Sequence, residues 1–129
     1  MTLTESTTGL VEIRGVHKSY GGVEVLRVLA RVIDACLRRP GDLAARIGGD
    51  EFALILGNTG LENAREIAES VLHSINDLKM AFAGSRQITA SMGVASVIPH
   101  EHQSDDLLFQ AADKALYSAK AAGRNRVAH

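Results

Sequence analysis

Hydrophobic and polar positions along the chain follow two different periods, and the switches between them lay out the elements. Leu10-Val11-Glu12-Ile13-Arg14-Gly15-Val16 alternates closely enough to predict a strand over 10–16. The polar, Thr-rich residues 1–9 before it predict a flexible tail, and His17 to Gly22 after it predict a turn. From Val25 to Arg39 the period becomes helical. Leu26, Leu29, Ala30, Ile33 and Leu37 fall on one side, Arg27, Arg31, Asp34 and Arg38 on the other, and Pro40-Gly41 predicts the stop. A hairpin over Leu43 to Leu56 follows, with Gly48-Gly49 free to take the positive φ of a two-residue turn. Phe52, Leu54 and Leu56 alternate with Ala53 and Ile55, so its second strand is apolar on both faces and belongs inside a sheet.

Thr59-Gly60-Leu61-Glu62 has the form of a capping box and opens a helix with the stripe Ala64, Ile67, Ala68, Val71, Leu72, Ile75 and Leu78. Residues 79–86 predict a connection, and Gln87 to Ile98 a strand in which Gly93 marks a bulge or a close approach. Ser104 is the expected cap of a last helix, with Asp105 and Asp106 at its positive end. Its core face is Leu108, Ala111, Ala112, Ala115, Leu116 and Ala119, Gly123 stops it, and Asn125-Arg126-Val127 can add an edge strand. The order predicts an α+β fold with a βαββαβ (ferredoxin-like) core: an antiparallel sheet with helices on one face.

Composition narrows this picture without redirecting it. A chain of 129 residues suffices for one domain with one core, read here as 10–129. No apolar run approaches membrane-spanning length and no secretory signal is present, so membrane insertion is not expected and a cytoplasmic location is. A formal charge of −1 makes no global case for nucleic acid. The single cysteine, Cys36, excludes an intramolecular disulfide and, on an apolar helix face, predicts a buried inert thiol. His100 and His102 offer two metal ligands with no third and read as solvent-exposed.

The hairpin carries the chemistry. Asp50 and Glu51 sit at its mouth, where a divalent metal and a phosphate ester could be handled; a solvated acidic turn is the plainer alternative. The pentamer Gly48-Gly49-Asp50-Glu51-Phe52 has a chance of roughly one in ten thousand in a chain this long. It resembles the GGDEF domain, the catalytic module of bacterial diguanylate cyclases, which condense two GTP into cyclic di-GMP across a homodimer. The resemblance runs from about Glu24 to Val127. It includes Arg39-Pro40-Gly41-Asp42, similar to the family's RxxD product-inhibition site, Ile88 to Ala95, similar to its next strand, and Ala112 to Asn125, similar to its last helix and closing turn.

The resemblance implies a palm-like fold and Mg2+ (or Mn2+) held by Asp50 and Glu51 together with an acid on the first strand. Asp50 would also help deprotonate the attacking 3′-hydroxyl. Gly48, Gly49 and Leu26 would lie against GTP, and Lys120 and Arg124, taken as one helical turn apart, would hold its phosphates. Arg39 would bind guanine O6 and N7 of cyclic di-GMP as a fork, and Asp42 would accept from a guanine N–H.

The same resemblance exposes departures. The family's first strand carries an Asp-x-Asp-like stretch, then Phe-Lys and a guanine-reading Asn, and none of these is present as a pattern. Glu12 reaches the metal only if strand 10–16 docks in one register, because a one-residue slip turns it away. The family's second guanine-reading position falls on Val23, which cannot accept guanine's hydrogens. Catalysis is therefore expected to be weak or absent and product binding to outlive it, with an inert folded fragment as the alternative. Leu10 to Arg27, LVEIRGVHKSYGGVEVLR, resembles instead the opening strand of an ABC transporter ATPase domain, in which the residue matching Tyr20 stacks on adenine. Residues 10–23 would then stand in for the family's first strand. With no G-x-x-x-x-G-K-[ST] phosphate loop, ATP is not an expected ligand.

Overall fold

The strand β1 (Thr8–Val16) is the one the sheet is built around. It pairs antiparallel with both β3 (Glu51–Leu56) and β4 (Thr89–Val97). β2 (Leu43–Gly48) extends the sheet antiparallel beyond β3, and β5 (Val127–Ala128) runs parallel along β4, giving the order β2-β3-β1-β4-β5. The helices are α1 (Gly22–Cys36), α2 (Leu61–Asp77) and α3 (Asp106–Ala121). These elements come from a computed structural model that describes residues 7–16, 22–37, 39–78, 89–98 and 106–129. Tyr20, His100, His102, Ser104 and Asp105 lie outside the described residues. No helix among those described is long and apolar enough to cross a membrane.

The α+β architecture and the element order agree with the periodicity. One expectation fails: helices cover both faces of the sheet, not one. Val11, Ile13, Phe52, Leu54, Leu56, Met92 and Val94 point to one side, where they pack with Leu29 and Ile33 of α1 and Ala64, Ala68, Val71, Leu72 and Ile75 of α2. Leu10, Ala53 and Ala95 point to the other, against Ala112 and Leu108 of α3. Three neighbouring strands with apolar residues at both parities need two covers. α3 sits close because Gly93 has no side chain: a Cβ there would lie 2.2 Å from the Ala112 carbonyl and 2.3 Å from the Leu116 nitrogen. Ala112, Ala115, Leu116 and Ala119 are buried, whereas Ala111, expected on the same face, is exposed.

Boundaries shift for identifiable reasons. Thr8 and Gly9, assigned to the tail by their polarity, belong to β1. α1 starts three residues before Val25 and ends three before Arg39. Pro40 disfavours helical backbone at the residue before it, and Arg39-Pro40-Gly41-Asp42 forms a turn instead, with Asp42 N–H donating to Arg39 C=O (3.2 Å) and Gly41 at φ +92°. The capping box at the start of α2 does not form. Gly60 is the N-cap and makes no side-chain cap, while the Thr59 hydroxyl donates to Gly57 C=O. Cys36 is half-buried between α1 and α2, its thiol 3.9 Å from the Ser74 hydroxyl.

Candidate functional site

The acidic hairpin turn is built one residue later than its two glycines suggest. Gly48 pairs with Glu51, so the turn residues are Gly49 and Asp50, and Gly49 alone of the two glycines takes a positive φ, +51°. The ladder is irregular between Arg46 and Gly48, and Arg46 Nε donates to Gly49 C=O (2.9 Å), bracing the turn. This register separates the two acids. Asp50 stays in the turn, whereas Glu51 opens β3 and shares the α3-facing side of the sheet with Ala53.

On that face β1 contributes Glu12 and Arg14. Glu12 stands opposite Ala53 on one side and Gly93 on the other, and Arg14 stands opposite Glu51 and Ser91. With only a methyl and a hydrogen as neighbours across the strands, the Glu12 carboxyl is free to meet Glu51 along the diagonal and Asp113 from α3 above. Carboxylate oxygens of Glu12, Glu51 and Asp113 all lie within 4.8 Å of one another. Arg14 Nη2 donates to Glu51 Oε2 at 2.6 Å.

The electrostatics of this cluster are one-sided. Glu12 is only 2% exposed, and burial, a hydrogen bond with Asp113 and the charges of Asp113 and Glu51 push its pKa up to about 8. Glu12 Oε2, Arg14 Nε and Ser91 Oγ are buried without a hydrogen-bond partner. All three belong to residues on this one face, where such groups call for an ion or a polar ligand. The donor set is entirely oxygen and suits a hard divalent ion of the Mg2+ kind. Glu12, Glu51 and Asp113 are the residues that would hold it, and bound there it would supply charge neutralisation for phosphate oxygens.

Sequence reasoning placed Asp50 and Glu51 on the metal, with Glu12 conditional on register. Among the described residues the structure brings Glu51 and Glu12 together and leaves Asp50 outside the cluster. It adds Asp113 and Arg14, which were missed. The signal for Asp113 was its place beside Ala112, on the edge of the buried face of α3. The signal for Arg14 was its spacing of two from Glu12, which puts both on one side of a strand.

Lys120 and Arg124 are not a helical pair. α3 ends at Ala121, and Arg124 N–H closes onto Ala119 C=O (2.9 Å) while Gly123 N–H closes onto Lys120 C=O (3.3 Å), a Schellman-type end. Arg124, at φ +65°, lies past that end. Burial and the positive charges of Arg14 and Arg124 hold the Lys120 ammonium below its usual pKa, partly offset by Glu51 and Asp50. The cluster is thus an acid triad with Arg14 paired to one of its members and Lys120 within electrostatic reach of Glu51. Leu26 and Val23 lie on α1.

Arg39 and Asp42 form a separate site. The guanidinium grips the Asp42 carboxylate with two bonds, Nε to Oδ2 (3.1 Å) and Nη2 to Oδ1 (3.2 Å). Nη2 also donates to Gly57 C=O (3.1 Å) and to the Thr59 hydroxyl. The Arg39 side chain is 47% exposed, while Asp42 is 3% exposed beneath it. An open cleft of about 330 Å³ runs between α1 and the hairpin, lined by Arg27, Asp34, Arg46 and Phe52 among others, and shares no residue with the acid triad.

The sequence profile of the family described as "Diguanylate cyclase, GGDEF domain" matches residues 18–126. Diguanylate cyclase DgcM of Escherichia coli (strain K12) is 46% identical over 116 residues, covering 87% of this chain but only 27% of DgcM. The chain therefore spans about a quarter of the length of that relative. In three dimensions the chain is similar to the active GGEEF domain of a diguanylate cyclase from Vibrio cholerae, with a TM-score of 0.84, 26% identity and coverage of 95% of this chain and 82% of that one. It is also similar to the GGDEF domain of DgcB from Caulobacter crescentus in complex with c-di-GMP, with a TM-score of 0.79, 27% identity and coverage of 95% and 77%.

Proposed function

This chain belongs to the diguanylate cyclase GGDEF-domain family, and we propose that within it the chain acts as a cyclic di-GMP-binding signalling module whose own turnover of GTP is weak or lost. The observation that carries the reading is the contrast in how its two arginine–carboxylate pairs are held. Arg39 is surface-exposed and locked in one orientation by Asp42, Gly57 and Thr59. A fork fixed in advance loses little freedom on meeting a guanine edge. Asp42, saturated by Arg39 and buried under it, acts in this reading by orienting the arginine.

The acid site supports only half of a cyclase. Joining two GTP requires the 3′-hydroxyl of one to attack the α-phosphate of the other, with Mg2+ or Mn2+ supplying Lewis acidity. Glu12 and Glu51 are positioned to hold such an ion, and Lys120 and Arg124 to hold phosphate oxygens. Yet Arg14 already occupies Glu51, and Val23, at the position matching a guanine reader, offers guanine no acceptor. A homodimer, in which two nucleotide sites meet, is the assembly the same reading implies.

The test is thermal melting with each ligand in turn, since only ligands of the folded state raise the midpoint. Cyclic di-GMP should raise it and ATP with Mg2+ should not. Overnight incubation with GTP and Mg2+, followed by chromatography, should give no appreciable cyclic di-GMP. A midpoint unmoved by cyclic di-GMP would sink the binding reading, and product that disappears with Glu51→Ala would sink the loss of turnover.

A further inference from the structure

We infer that Thr59 positions the Arg39 fork and couples it to the segment entering β1, so that displacing that segment changes cyclic di-GMP affinity; this rests on the binding reading of the fork given above. Thr59 is polar yet only 1% exposed. Its bonds run to three different parts of the fold. Its N–H donates to Thr7 C=O (2.7 Å), immediately before β1. Its hydroxyl donates to Gly57 C=O (2.9 Å), just past the end of β3, and accepts from Arg39 Nη2 in the turn before β2. Asn58, at φ +51°, bends the connection so that Thr59 reaches back to Gly57. A hydroxyl whose donor and acceptor roles are both filled is held in one orientation.

Asp42 cannot do this work. It belongs to the same turn as Arg39, so their ion pair ties the guanidinium to its own turn and not to the rest of the domain. Gly57 C=O and the Thr59 hydroxyl supply the outside anchor, and Thr59 also holds Gly57. Removing that hydroxyl therefore loosens both contacts. The same residue is pressed from the side of β1. Gly9 packs so closely that a Cβ on it would lie 3.3 Å from the Thr59 carbonyl oxygen and 3.1 Å from Ala64 Cβ. A shift of Thr7, or a methyl at position 9, thus reaches Thr59 first and the fork through it. The coupling is reciprocal: a ligand that fixes Arg39 also steadies the contact between Thr59 and Thr7.

The experiment uses the whole chain. Calorimetry reads cyclic di-GMP affinity, and proton–nitrogen correlation NMR of the ligand-free chain reads solvent exchange and shift of the Arg39 Nε–H. Thr59→Val keeps the shape and removes the hydroxyl. It should weaken binding by about three- to ten-fold and speed exchange of the Arg39 Nε–H. Thr59→Ser restores the hydroxyl and should bring affinity back to within about two-fold of the parent chain, with slow exchange regained. Gly9→Ala, at a residue remote from the fork, should shift the Arg39 resonance and weaken binding by about two- to ten-fold. Far-UV circular dichroism checks folding, and Thr59→Ala takes the place of Thr59→Val if the latter does not fold. Arg39 exchange unchanged by loss of the hydroxyl, or a defect that Thr59→Ser does not rescue, overturns the positioning role. An Arg39 resonance and an affinity both unmoved by Gly9→Ala overturn the coupling to β1. If the parent chain binds no cyclic di-GMP, the binding reading fails, and the Arg39 resonance alone decides whether Thr59 positions the fork.

Discussion

Arg14 and Arg39 each hold a carboxylate, and the two neighbourhoods show what a local pair and a long-range pair can do. Arg39 and Asp42 are three residues apart across a proline-glycine turn, and the pair braces that turn against the connection leading to α2. Arg14 and Glu51 are thirty-seven residues apart and meet only because β1 and β3 pair in one register. The first pair is a fixed surface fork with one acid to satisfy. The second is a single positive charge among the carboxyls of Glu12, Glu51 and Asp113, beneath a helix seated on a glycine. The local pair is fixed by its own turn, whereas the long-range pair depends on the register of two strands.

The contrast breaks most sharply at Gly93, which sets the height of α3 over the acids. Gly93→Ala should destabilise the domain by about 1–3 kcal/mol or more, because its methyl would collide with helix backbone that no side-chain rotation can relieve. Thermal or urea unfolding checks it. The Arg39 turn, remote from that contact, should keep its geometry in any folded fraction.

Next in size is the pH dependence of stability in metal-free buffer. The folded pKa of Glu12, about 8, lies above its ordinary value of 4.5. The unfolded chain therefore releases this proton first. Stability from this group is complete below about pH 4.5, falls as pH rises, and levels off above about pH 8. The limiting slope for one group is about 1.4 kcal/mol per pH unit. Denaturant melts from pH 4 to 9 should show that decline in the parent chain and a flatter profile in Glu12→Gln. Parallel profiles in the two chains would contradict the burial of a neutral Glu12.

The smallest effect concerns the brace on Arg39. Thr59→Val removes a hydroxyl that accepts from Arg39 and donates to Gly57 C=O. It should cost about 1 kcal/mol of stability and loosen the fork without disturbing the acid cluster.

What the sequence made legible follows the same division. The Arg39 turn was readable because proline, glycine and their charged neighbours lie within four residues. Helix stripes were readable because a buried face repeats every three or four positions. Glu12 could be named only conditionally, since its side of the sheet depends on a register that forms with residues some forty and eighty positions away. Arg14 shares that dependence, and Asp113 joins the cluster only through the packing of α3 on the sheet. The cover on both faces was half visible in the two-sided apolarity of β3, yet nothing local showed that α3 would supply the second layer. The turn register was misjudged by one because both glycines permit positive φ, and only strand pairing decides which of them uses it.

The most direct test of the central claim, that the chain binds cyclic di-GMP through the Arg39 fork and not through the acid cluster, is calorimetric titration of three chains. A bidentate arginine–guanine contact is worth about 1–3 kcal/mol, or roughly ten- to a hundred-fold in affinity. Arg39→Ala should weaken cyclic di-GMP binding by about that factor, while Asp50→Ala should leave it near that of the parent chain. Binding that survives Arg39→Ala but is lost with Asp50→Ala would place the ligand at the hairpin turn and contradict the claim.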